Sequence, residues 1–184
     1  MTNTAWLLNA VSGAPSYTGR MVRQAMSAPL GGATSTRPLG ATSGVRPGTP
    51  TNTVTATSTT WTCQPHAGVM DGQTSAIAGP YQYAIDTAVT GSVTAADATY
   101  ARIDIVYVQI RDTAEDGTGF EDVNVLYLAG TPAASPVAPA TPARSMVIAQ
   151  INVPQSGGGS PSVVWEAPVM AAAGGLYVNP GADQ

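Results

Sequence analysis

From residue 51 onward, hydrophobic and β-branched residues alternate with polar ones over short runs. A period of two is typical of β-strands that bury one face. Runs of this kind lie at residues 51–63, 80–86, 89–94, 101–110, 123–129, 146–153 and 162–165. Turns rich in Gly, Asp and Ser separate several of them. The pattern therefore predicts an all-β domain of antiparallel strands, either sandwich-like or barrel-like.

The clearest strand is predicted at residues 101–110. Ile105 and Tyr107 fall on one face and Val106 and Val108 on the other, so both faces should be covered and the strand should be central. Arg102 and Asp104 are two residues apart near its start, so their side chains leave on the same face. An unpaired charge buried in the interior costs several kcal/mol of stability. We therefore expect this pair to have a structural role, either holding the strands of the sheet together or lying at a subunit boundary.

The first 50 residues have a different pattern. Pro and Gly interrupt residues 28–50 every few positions, so no period of 2 or 3.6 persists. One short helix is predicted at residues 18–26, where apolar residues fall at helical spacing, and it should end before Pro29. Residues 1–50 are therefore predicted to form an extended arm that precedes the β-rich domain.

The arm has two interpretations, a mobile tail or a segment ordered against a partner. Trp6, Leu7 and Leu8 favour the second, because disordered tails rarely carry large apolar side chains. We predict that these three residues insert into a neighbouring protein.

Two further segments complete the domain organisation. Residues 131–142 contain four prolines, which favour polyproline II over a helix or a central strand. Residues 169–184 are rich in Ala and Gly and are predicted to be a flexible C-terminal tail. The β-rich domain is accordingly assigned to residues 51–168.

The composition argues against several classes of function. The 184-residue chain has seven basic and eleven acidic residues, a net charge of −4, and no Lys. The deficit of positive charge argues against nucleic-acid binding and against docking on anionic lipid. No apolar stretch is long enough for a membrane helix, and the N-terminus lacks the basic region of a secretory signal. Much of the hydrophobic content is Ala, so we expect burial to be completed by self-association, as a homotrimer.

Few residues suggest chemistry. Cys63 and His66 are the only Cys and His, so there is no internal disulfide, and a metal site or a thiol nucleophile would lack further partners. We expect a loop histidine beside a buried cysteine. No glycine cluster forms a phosphate cradle, and no Gly-x-Ser-x-Gly elbow is present. The sequence predicts neither catalytic nor cofactor-binding nor metal-binding residues.

The acidic segment at residues 112–122 matches a calcium loop only in part. Counted from Asp112, position 3 is Ala114 and position 12 is Val123, where a calcium loop needs oxygen ligands. We expect a solvated hairpin tip, and a cation site there stays open as the alternative.

Several segments together resemble a domain common in minor tail and baseplate proteins of phages that infect actinobacteria. They are residues 43–48 (SGVRPG), 60–68 (TWTCQPHAG), 79–83 (GPYQY), 102–106 (RIDIV), 129–134 (AGTPAA), 143–146 (ARSM) and 151–154 (INVP). The resemblance implies a non-enzymatic structural protein of a virion, made in the host cytoplasm, that assembles with itself and with other tail or baseplate proteins.

Two alternatives remain beside the tail or baseplate role. One is a capsid-decorating or head-fibre protein that contacts capsid protein. The other is a tail-tip module that binds carbohydrate on the host surface. Proteins of the resembled kind often continue into fibre or receptor-binding regions, whereas this chain ends soon after Trp165. We therefore expect an adaptor rather than a protein that contacts the host directly.

Overall fold

The computed structural model describes residues 17–72 and 75–171 of the chain. The two helices are α1 (Gly19–Met26) and α2 (Thr113–Asp116). The strands are β1 (Gly44–Val45), β2 (Val54–Ala56), β3 (Thr60–Cys63), β4 (His66–Asp71), β5 (Pro80–Ile85), β6 (Val89–Ser92), β7 (Arg102–Asp112), β8 (Glu121–Leu128), β9 (Ser145–Val153) and β10 (Ser162–Trp165). The all-β prediction is confirmed.

These strands form three antiparallel sheets. Their orders are β1-β4-β5, β2-β3-β6 and β10-β9-β7-β8. Strand β7 is internal to the four-stranded sheet, paired with β9 on one side and β8 on the other, as its two apolar faces predict. Strand β10 lies beside β2, which brings two of the sheets together at one edge.

One hydrophobic cluster joins the three sheets. Met70 and Tyr81 enter it from the first sheet, Trp61 from the second, and Val106 and Ile151 from the third. Trp61 also stacks on the ring of Tyr127, with centroids 6.2 Å apart. Because every sheet contributes to the same cluster, the three sheets share one main core. A second, smaller cluster contains Leu30, Ala41 and Val69.

The proline-rich segment covers the second face of the four-stranded sheet. It starts at Gly130, where a Cβ would lie 2.0 Å from the carbonyl oxygen of Ile103, so only glycine fits. It ends at Ala143, whose carbonyl accepts a hydrogen bond from the Gln109 side chain. Ile105 is buried, lies outside the main cluster, and lines a cavity together with Ala138 and Pro139 of this segment. The segment accordingly completes the cover that the pattern of β7 requires.

Strand β4 is absent from the sequence prediction. Its residues, His-Ala-Gly-Val-Met-Asp, do not alternate, because the strand is buried on both faces for most of its length. His66 is therefore the first residue of a strand, and the expectation of a loop histidine is wrong.

The predicted boundary between an arm and a domain at residue 50 differs from the structure. Strand β1 belongs to the sheet of β4, and Arg37 forms an ion pair with Asp71. At the other end, Val169 bridges to Val45, so the described start of the predicted tail also joins this sheet. A two-residue strand shows no period, which is why the pattern assigned it to the arm.

Candidate functional site

Cys63 and His66 lie together in the interior. The Cys63 sulfur is 3.7 Å from His66 Nδ1, and Nδ1 is also 3.0 Å from the carbonyl oxygen of Gln64. That carbonyl can only accept, so Nδ1 carries the proton and donates it to Gln64. His66 Nε2 is buried and has no hydrogen-bond partner among the described residues. The ring therefore offers Cys63 no basic nitrogen.

The electrostatics of this pair oppose nucleophilic chemistry. Burial raises the pKa of the Cys63 thiol to about 11 and lowers the pKa of His66. Both groups are thus held neutral, whereas a reactive cysteine needs a depressed thiol pKa and a nearby cation. The pair therefore lacks the thiolate and the neighbouring cation that a nucleophilic cysteine uses.

The acidic segment forms the tip of the β7–β8 hairpin, as expected, and residues 117–121 are exposed, but the tip is not solvated throughout. Its start folds into α2, capped by Asp112, whose side chain accepts a hydrogen bond from the backbone of Ala114. The side chains of Glu115 and Asp116 are only 3% and 0% exposed, respectively. Arginines distant in sequence cover them, and a local pattern does not reveal such partners.

Two arginines of α1 hold Glu115. Arg20 donates two hydrogen bonds to its carboxylate, at 2.8 and 2.5 Å, and Arg23 donates a third at 2.6 Å. Arg23 also pairs with Asp112 at 2.9 Å. Arg20 and Arg23 are three residues apart, a spacing that places both on one helix face and that could have indicated a shared acidic partner.

Tyr81 and Gly79 also contact α1. The Arg23 guanidinium lies 4.2 Å from the centre of the Tyr81 ring, and the Tyr81 hydroxyl donates to Asp112. Burial, together with this hydrogen bond, raises the pKa of Tyr81, so the hydroxyl stays protonated. Gly79 packs so closely that a Cβ there would lie 2.8 Å from the carbonyl carbon of Arg23. Since α1 has no buried residue, these polar contacts dominate its attachment.

Asp116 belongs to the same region. Its carboxylate pairs with Arg144 at 2.9 Å and accepts hydrogen bonds from Thr118 and from the backbone of Asp112. Burial alone would raise the pKa of Asp116, but these donors outweigh it and lower the pKa to about 2. Because arginines and backbone donors occupy the carboxylates, they are not arranged as cation ligands. Across residues 17–72 and 75–171, no cluster of three potential metal ligands occurs.

Arg102 and Asp104 form the predicted pair, deep inside the protein. Arg102 donates to Asp104 at 2.8 Å, and the two side chains are 3% and 0% exposed. Asp104 also accepts hydrogen bonds from the Tyr127 hydroxyl and from the backbone of Gly130. Arg102 reaches the carbonyl oxygens of residues 94 and 95. This network ties β7 to β8 and to the loops on both sides of it.

A groove of about 710 Å³ has walls from strands of two different sheets. Strand β5 forms one wall, the paired ends of β7 and β8 form the other, and the first turn of α1 closes one end. Within the described part of the chain, β5 pairs only with β4 and β8 only with β7. Each of these two strands therefore has one edge without a paired strand among the described residues.

Other predicted contact residues are distributed as follows. Trp6, Leu7 and Leu8 lie outside the described residues. Trp61 is buried, and Trp165 packs against the main cluster. The described residues contain no helix both long and apolar enough to cross a membrane.

Comparison of the chain with protein-family models, with curated proteins and with solved structures found no match.

Proposed function

We propose that the chain is a non-enzymatic structural protein of a phage virion, a tail or baseplate adaptor that assembles with itself and with other tail proteins. The observation that carries the proposal is that β5 and β8 each have one edge with no paired strand among the described residues. An exposed strand edge is a template for pairing with another chain. A chain built for assembly gains an interface from such edges.

The charged groups support the same proposal. The buried or clustered carboxylates Asp104, Asp112, Glu115 and Asp116 all bind arginine within the chain. Catalysis needs groups whose charge is available to a substrate. Here the charge is used to hold elements together, which fits an architectural protein.

The resemblance to phage tail and baseplate proteins supplies the biological context. The segments that carry it include β1, β3, the start of β5, the start of β7 and the end of β9. They therefore come from all three sheets around the core, and a shared architecture would account for their order and spacing.

The carbohydrate-binding alternative is less well supported. A sugar platform usually needs exposed aromatic rings beside one another. Trp61 is buried against Tyr127, and the exposed Phe120 is stacked under Arg111.

Labelling of purified particles with an antibody against the chain tests the proposal, read by electron microscopy. We expect label at the tail tip or baseplate. Label on the head would favour capsid decoration instead, and absence of the chain from intact particles would refute a virion role altogether.

Light scattering of the purified chain tests self-assembly separately. We expect a trimer at micromolar concentration. A folded monomer that persists at that concentration would contradict the proposed self-association.

A further inference from the structure

Helix α1 turns its polar face toward the rest of the protein. Arg20 and Arg23 bind the carboxylate of Glu115. The Gln24 side chain donates a hydrogen bond to the carbonyl oxygen of Ile77 at 2.8 Å. Because residues three or four positions apart are neighbours on a helix surface, Arg20, Arg23 and Gln24 form a single face. This face holds α1 in place.

The opposite face of α1 is apolar. It consists of Met21, Val22, Ala25 and Met26. Each residue of an α-helix is turned by about 100° from the one before, so the centre of this group lies about 180° from the centre of the polar face. A surface helix normally places its apolar stripe against the core. In α1 this orientation is reversed.

The apolar face of α1 belongs to neither hydrophobic cluster of the described residues. None of its four side chains is buried, and each is partly accessible to solvent. Ile77, which is joined to the helix through Gln24, is 50% exposed. Apolar surface that lies together outside a core marks a site of contact with another protein.

The charges around this face favour a second copy of the chain as the partner. The face itself carries no charge, and Glu115 and Asp112 of the same chain neutralise the arginines on the other side of the helix. Two copies can therefore bring these faces together without repulsion between like charges. Identical apolar faces also complement one another, so a symmetric oligomer can bury them around its axis.

The size of the face makes it one part of a larger interface. Helix α1 has eight residues and is about 12 Å long. A standard interface buries roughly 800 Å² on each partner, which is more than four side chains supply. Loss of this contact should therefore weaken self-association rather than abolish it.

We propose that the apolar faces of α1 from different copies pack against one another in the oligomer. The proposal rests on the self-association proposed above and names one of its contacts. Helix α1 is then attached to its own chain through arginines and to neighbouring copies through apolar side chains. Two of these are methionines, whose flexible side chains adapt to the shape of a partner.

Ala25→Glu in the full chain tests the contact through charge. Ala25 lies near the centre of the apolar face, and Glu is a good helix former, so α1 itself should persist. Each copy would place a negative charge against its neighbour, so we expect self-association to be on the order of 100-fold weaker. Light scattering over a concentration series measures this change.

The matched control is Val137→Glu. It introduces the same charge at an apolar residue that is 76% exposed and lies on the proline-rich segment, so self-association should be retained. If Ala25→Glu associates as strongly as the unchanged protein, or if both variants lose association equally, the proposal is overturned.

Disulfide trapping tests the same contact without adding a charge. Ala25→Cys is made in the full chain and oxidised; Cys63 does not interfere, because it is buried. We expect a 25–25 linkage between chains, identified by mass spectrometry. Local concentration in the oligomer should give on the order of 100-fold more of it than of the 137–137 linkage in Val137→Cys. Equal yields would contradict the contact.

The residues before the helix are the alternative occupant of this face. A variant with Leu7→Cys and Ala25→Cys in one chain distinguishes the two. Dimers linked through residue 25 support the proposal, whereas a monomer with an internal 7–25 disulfide overturns it. Light scattering separates this contact from self-association itself: an oligomer without 25–25 linkage contradicts only the contact, and a persistent monomer contradicts both.

Discussion

Replacing Asp104 by alanine would leave the Arg102 guanidinium buried without its carboxylate. The change removes the carboxylate that accepts a hydrogen bond from the Arg102 side chain at 2.8 Å. It also removes the acceptor of the hydrogen bonds from the Tyr127 hydroxyl and the Gly130 amide. Because Arg102 is only 3% exposed, water cannot readily replace the lost partner. Removing one member of a buried ion pair costs about 3–5 kcal/mol. We expect Asp104→Ala to lower the free energy of unfolding by that amount.

Urea titration measures this loss as a shift of the midpoint at constant slope. In a thermal melt the same loss corresponds to roughly 6–20 °C for a chain of this length. The matched control is Asp122→Ala, which breaks the pair with Arg111. That pair is 28% and 35% exposed, so solvent should compensate and stability should hardly change. If both variants unfold alike, or if Asp104→Ala costs less than about 1 kcal/mol, the buried network is not what stabilises β7 against β8.

Three further predictions concern α1 and His66. Glu115→Gln should speed amide exchange in α1 several-fold, since it removes the shared carboxylate, whereas Glu121→Gln, at an exposed residue with no ion pair in the described chain, should leave exchange unchanged. In urea titration, Gly79→Ala should lower the stability of the protein more than Gly117→Ala. Both residues have positive φ, which costs about 1–2 kcal/mol for alanine, but of the two only Gly79 lacks space for a Cβ. Equal losses of stability would contradict the close contact at Gly79. Burial lowers the pKa of His66 in the folded protein below 6.5, its ordinary value in an unfolded chain. As the pH falls from 6.5 to the folded pKa, the imidazole is therefore protonated in the unfolded chain but not in the folded protein, and the folded protein loses stability. The resulting loss of stability, read from urea midpoints, should be absent in His66→Phe, and an identical pH slope in both proteins would exclude His66 as its source.

The strands that sequence predicts best are those with dense runs of β-branched and other apolar residues. Residues 162–165 form β10 as predicted, and the run at 101–110 corresponds to β7, extended to residue 112. Even the double cover of β7 follows from its pattern, although the segment that covers one face does not. Strand β4 does not alternate, because it is buried on both faces, and its Gly68 has no side chain to mark a face. A strand that is covered on both faces is therefore predicted only where its apolar run is long and unbroken, as in β7.

The candidate site was predicted less completely than the fold. Arg102 and Asp104 are two residues apart, so their pairing is visible from strand geometry alone. The partners of Glu115 are more than 90 residues away, at Arg20 and Arg23, and no local rule connects them. The groove is harder still, because its walls come from strands of two different sheets. Such neighbours become visible only when the order of strands in each sheet is known.

The ion pairs of α1 determine where the first turn of this helix lies relative to the groove. Every arginine except Arg46 forms an ion pair within the described chain, and the pairs of Arg20 and Arg23 attach α1. Ion pairs fix the orientation of α1 more strictly than apolar contacts would, because hydrogen bonds to a carboxylate are geometrically specific. They therefore set where the chain leaves the helix, at Thr18 on the rim of the groove. Loss of the Glu115 contact should therefore loosen the attachment of α1 beside the groove while the three sheets stay intact.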